Sequence, residues 1–126
     1  MTIQQALDTV DELKPNQIEE ERKIKWLARL DGRIFDEILS THAQDIGMPE
    51  TFTPYQLDTD RETELLVKAP YDEIYRWYLE MQIDLANMEL DKYNNSMQLY
   101  NNAWGEFARK WHREHMPISR GNCWRF

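Results

Sequence analysis

Between Leu79 and Trp111, apolar side chains recur in alternating steps of four and three: Leu79, Ile83, Ala86, Leu90, Tyr93, Met97, Tyr100, Trp104, Phe107 and Trp111. The mean step is about 3.5 residues, the period of a helix packed along a long seam. A second stripe, Tyr71, Ile74, Tyr78, Met81, Leu85 and Met88, runs beside the first half of it. Apolar positions on more than one side are expected of a central helix touched by several others. Pro70 suits a first helical position, and Asp72 and Glu73 suit a first turn. The pattern predicts one long helix over about 70–114. Asn94-Asn95-Ser96 has turn and cap chemistry, so a break at 94–96 is the alternative. The seam nevertheless keeps its phase there, and Tyr93-Asn94-Asn95 is echoed seven residues on by Tyr100-Asn101-Asn102.

Upstream, Ile3, Ala6, Leu7, Val10 and Leu13 predict a first helix over 3–13. Thr2 and Gln5 form a capping-box pair, and Lys14-Pro15-Asn16 stops the helix. A second helix is expected to start at Asn16, with Glu19 as its reciprocal partner, and to carry Ile24, Leu27, Leu30, Ile34, Phe35, Ile38 and Leu39 to about His42. Gly32 marks a kink or break within it. Residues 43–69 lack a clear period and hold Gly47, Pro49, Pro54 and the turn Asp58-Thr59-Asp60. A segment of that length is either a functional loop or one holding a short element. Leu65, Leu66 and Val67 read as a short strand or helical turn, a candidate inter-subunit loop. Met116-Pro117 ends the helical pattern, and Ile118 to Phe126 has no helical period. The expected fold is therefore all-α: a helical bundle around one long C-terminal helix, with an irregular loop between helices two and three. Residues 1–117 form one domain and 118–126 an extended arm.

Charge sharpens this picture. The formal net charge is -8, which argues against nucleic-acid binding over the whole surface. Residues 105–126 run the other way, with Arg109, Lys110, Arg113, Arg120 and Arg125 against Glu106 and Glu114. One reading is cations gathered at a helix C-terminus by its dipole. The other is a basic tail that docks on an acidic partner, such as another copy of the chain. Cys123 is the single cysteine, which excludes an intrachain disulfide and points to a reducing, intracellular setting. Neither a secretion signal nor a membrane-spanning run is evident.

Reactive chemistry is sparse. The chain has no phosphate-cradling glycine loop and no nucleophile elbow. His112 and His115 would need further ligands to hold a metal, and read as helix-end side chains. Glu80 and Asp84 share a helix face, but no Glu-x-x-His pair accompanies them, so solvated acids are expected instead of a di-metal or hydrolase site. Arg22, Lys23, Lys25, Arg29 and Arg33, with Trp26 among them, are flanked by acids and read as intrahelical ion pairs. The seam residues Leu79, Ile83, Leu90, Tyr93, Met97, Tyr100, Trp104, Phe107 and Trp111 are expected in the core or at a subunit interface. No catalytic residue, metal ligand or cofactor is expected.

Several stretches resemble small structural proteins of Gram-positive prophages: Trp26-Leu27-Ala28-Arg29-Leu30-Asp31-Gly32-Arg33-Ile34, Ala69-Pro70-Tyr71-Asp72-Glu73, Tyr78-Leu79-Glu80-Met81-Gln82-Ile83-Asp84, Tyr93-Asn94-Asn95 and His115-Met116-Pro117. The likeness spans about residues 1–117 and is to head–tail connector (adaptor) proteins. The resemblance implies a non-enzymatic ring subunit in the virion neck, made in the host cytoplasm and commonly present in twelve copies. Its implied partners are the portal above, a tail-side neck protein below, and DNA passing through the channel without sequence-specific binding; no membrane is involved. It also makes Ile118, Arg120, Trp124, Arg125 and Phe126 a candidate portal-docking arm. The competing expectation is a small phage-encoded helical regulatory protein acting as a dimer through the seam.

Overall fold

The computed structural model describes residues 1–39 and 51–115. Among these, α1 spans Ile3–Leu13, α2 Glu20–Ile34, α3 Ile74–Ala86 and α4 Leu90–Glu114. A single π-helical turn, Phe35–Leu39, extends α2. The described residues form no β-strand, only an isolated antiparallel bridge between Thr2 and Glu64. The all-α expectation holds.

α1 forms where its spacing and cap predict. The Thr2 hydroxyl accepts from the Gln5 backbone N–H (3.2 Å), and the Gln5 side chain accepts from the Thr2 N–H (2.9 Å). Two further first-turn donors, Ile3 and Gln4, give their N–H groups to the carbonyls of Thr63 and Arg61. The segment before α3 thus completes the cap of α1, satisfying donors that any helix leaves open at its start. α2 begins at Glu20, four residues later than expected from Asn16, because Asn16 turns its side chain to Ile18 N–H, Lys14 O and the Lys23 ammonium. α2 runs unbroken through Gly32; the change of helical type comes at Phe35, where the π-turn starts.

The long helix expected over 70–114 is two helices. α3 starts at Ile74, not Pro70, after a turn in which Tyr71 N–H reaches Lys68 O, and a cis peptide joins Ala69 to Pro70. It ends at Ala86, and the break falls at Asn87–Glu89, not at 94–96, through which α4 runs unbroken. Met88 N–H bonds to Leu85 O and Glu89 N–H to Asp84 O, a Schellman ending. Met88 occupies the left-handed position with φ of 59°. The apolar phase survives this reversal because the step from Ala86 to Leu90 spans the turn.

α3 is the central element, packed on α1, α2 and α4. Its core side chains Ile74, Tyr75, Leu79 and Ile83 meet Ile3, Leu7 and Val10 of α1, Ile24, Leu27, Leu30 and Ile34 of α2, and Tyr100, Phe107 and Trp111 of α4 in one cluster. Leu65 and Val67 are buried in the same cluster, and Leu65 N–H bonds to Met1 O. The expected inter-subunit loop is therefore packed into its own chain; of its three residues only Leu66 is partly exposed.

Candidate functional site

The most enclosed chemistry in the molecule lies at Asp31 on α2. Its carboxylate is fully buried and accepts the Tyr55 hydroxyl (2.6 Å), the Tyr75 hydroxyl (2.7 Å) and the Leu66 backbone N–H (3.2 Å). Tyr75 also accepts the Val67 N–H (2.7 Å). Burial raises the Asp31 pKa above 3.8 against the opposing pull of these donors and of the Lys68 charge. Burial, and then the adjacent carboxylate, push both phenols up as well. Phe52 stacks edge-on over Tyr55, with ring centres 5.4 Å apart. All these contacts run inward and tie the segment from Phe52 to Val67 onto α2 and α3. The open groove of about 680 Å³ beside it is lined by Glu21, Lys25, Tyr55, Gln56, Leu57 and Asp58. There Lys25 pairs with Glu21, and the Tyr55 hydroxyl is turned to Asp31. Nothing reactive converges there.

The candidate carboxylates are held by ion pairs. Glu80 accepts from Arg76 (2.7 Å), and Asp84, almost wholly buried, binds the Lys14 ammonium (2.5 Å) and the Ser96 hydroxyl (2.8 Å). This latch joins the end of α1 to both arms of the hairpin. Among the described residues no group of three or more histidines, cysteines or acids is placed to hold a metal ion. The α2 cations divide: Lys25 and Arg33 pair within the helical segment with Glu21 and Glu37, whereas Lys23 is buried and reaches back to Asp11. No helix among the described residues is long and apolar enough to cross a membrane.

The seam residues are placed unequally. Leu79, Ile83, Tyr100, Phe107 and Trp111 are buried, Tyr93, Met97 and Trp104 are half-buried, and Leu90 is 56% exposed. The reversal folds the seam against itself, with the Tyr78 and Tyr100 rings 5.2 Å apart. Arg33 caps the Trp104 face at 4.6 Å and donates to the Tyr100 hydroxyl. Burial pushes the Tyr100 phenol up to about 12, with Arg33 opposing. Trp111 stacks flat on His115 at 3.6 Å, and its buried indole N–H has no acceptor among the described residues. The expected arm, Ile118 to Phe126, lies outside the described residues.

What spacing missed is the tip of the hairpin. Leu85, Met88 and Leu90 are exposed around the turn, and Met88 is 76% accessible. Leu13, 53% exposed, lines a cavity of about 260 Å³ with Pro15, Asn87 and Glu89. A second groove of about 270 Å³ opens between α3 and α4, lined by Tyr71, Trp77, Leu99 and Ala103 with Glu73 and Glu106 among its polar members. The expectation that assigned these stripes to one straight helix hid both surfaces. The only sequence signal for the tip was apolar residues on both sides of the seam near 85–90. No protein-family model, curated protein or solved structure matches the chain.

Proposed function

We propose that the chain is a structural subunit of a tailed-phage head–tail connector ring, seated beneath the portal and forming part of the DNA channel. The observation that carries this reading is the set of apolar side chains left exposed on a single copy, Leu13, Leu85, Met88 and Leu90, together with a separate groove between α3 and α4 in which Tyr71 and Trp77 lie among Glu73, Asn102 and Glu106. A closed ring requires two different surfaces on each subunit, joined head to tail, and the exposed tip and the groove differ from each other in this way. The resemblance of residues 1–117 to prophage connector proteins supplies the biological setting. The acidic body suits a channel through which DNA slides without adhering.

In this reading Ile118, Arg120, Trp124, Arg125 and Phe126 dock on the portal. The test is negative-stain imaging of the purified chain mixed with a portal from the same gene cluster. Rings stacked on portals are expected, and a chain truncated after Pro117 is expected to lose portal binding while keeping its helical circular dichroism. A monomer that ignores the portal at all concentrations overturns the reading. A symmetric dimer that binds a host factor would favour the regulatory alternative.

A further inference from the structure

Glu73 at the start of α3 and Glu106 on α4 both line the groove between these helices, whose exposed lining is mostly polar. Both acids are exposed, and neither has an ion pair among the described residues. Glu73 is the N-cap of α3, yet its side chain makes no capping bond. Two cations approach the aromatic walls of the groove without answering these acids. Arg76 lies over Trp77 at 4.1 Å but pairs with Glu80, and Lys110 lies 5.7 Å from the Tyr71 ring but pairs with Glu114. Lys110 is equally close to the Trp111 ring, so the Tyr71 end of the groove adjoins the last turns of α4, where the chain leaves the helix. The eleven residues that follow, 116–126, carry Arg120 and Arg125, the aromatics Trp124 and Phe126, and no acidic side chain. Extended, they span about 36 Å, whereas the way back along α4 from Glu114 to Asn102 is about 18 Å.

We infer that the occupant of this groove is the segment Ile118–Phe126 of its own chain, with Arg120 and Arg125 answering Glu73 and Glu106 and the two aromatics meeting Tyr71 and Trp77. Three observations select it: the groove offers acids without partners, the segment is purely cationic in its side-chain charges, and its tether is long enough to reach. Tethering raises the effective concentration of the segment at the groove, so weak exposed ion pairs suffice to hold it. The contact is autoinhibitory, and in that consequence it rests on the connector reading: an arm seated in its own groove is withheld from a portal, and it covers a surface that a neighbouring subunit would use.

The experiment uses the full chain, whose single cysteine, Cys123, already lies in the segment. Asn102→Cys places a second thiol in the groove, and Asn101→Cys places one at nearly the same tether length but turned about 100° around the helix. With a short bismaleimide and dilute protein, Asn102→Cys is expected to link to Cys123 within one chain, and Asn101→Cys to do so far less, both read by mass after digestion. Glu73→Lys with Glu106→Lys is expected to cut the Asn102→Cys yield about fivefold or more, with helicity unchanged. Adding Arg120→Glu and Arg125→Glu to that variant is expected to restore it. Equal yields at the two positions, links formed only between chains, or charge reversal without effect each overturns the inference. If the link forms as expected but no ring forms on a portal, the contact stands and the connector reading falls; if rings form without the link, only the contact is wrong.

Discussion

Asp31 carries a buried carboxylate whose neighbours are two phenols and one backbone amide rather than a formal countercharge in contact. Its raised pKa fixes the sign of its linkage to stability. The contribution is fully present below the ordinary value of 3.8 and is lost as pH rises through the higher folded-state value. Asparagine copies the neutral form, since Oδ1 keeps Leu66 and Tyr55 while Nδ2 donates to Tyr75. The stability of the wild type relative to Asp31→Asn is therefore expected to fall as pH rises above about 3.8, measured by denaturant unfolding at stepped pH. A difference that grows with pH would show that the donors outweigh burial. Tyr75→Phe strips a donor from Asp31 and an acceptor from the buried Val67 N–H, and is expected to cost about 2–3 kcal/mol. Gly32 shows the opposite case. A methyl group there would meet Phe52 at 3.7 Å, an ordinary contact, so Gly32→Ala is expected to stabilise α2 by about 0.5–1 kcal/mol in thermal unfolding.

At the scale of elements, the α3–α4 hairpin is held at its closed end by the Lys14–Asp84–Ser96 latch and by the Schellman bonds around Met88. Removing Lys14 leaves Asp84 buried with one hydroxyl for company. Lys14→Ala is expected to lower stability by about 3 kcal/mol, and Lys14→Ala with Asp84→Leu by much less, since the second change removes the stranded charge. The double-mutant cycle in urea reads this directly. The same latch explains why spacing alone mistook two helices for one. Asn87-Met88-Glu89 contains neither glycine nor proline, and the step of four across it leaves the seam in phase. A continuous helix over 70–114 would have been about 65 Å long with its aromatic seam uncovered. Folding back buries Tyr78 against Tyr100 and gives Asp84 a partner on each of its neighbours. The first helix was legible because its signal is local: five apolar positions and a capping box lie within residues 2–13.

For the whole molecule, the described part of the basic stretch after residue 104 divides: Lys110 pairs with Glu114, while Arg109 and Arg113 are exposed. If copies of the chain associate through exposed charges such as Arg109 and Arg113, added salt is expected to weaken the association, because exposed charges beyond about a Debye length are screened. Light scattering across a salt series reads this, and association that strengthens with salt would assign it to apolar contact alone. The amino-acid sequence by itself determined the helical class, the extent of α1 and the core positions of α2, all of which depend on residue type and near-neighbour spacing. The tertiary structure alone decided that the seam closes on itself at Asn87–Glu89, that Leu65 and Val67 serve the core, and that Leu85, Met88 and Leu90 are left exposed around the turn. Those outcomes depend on ion pairs and burial between residues far apart in the chain, which periodicity does not encode.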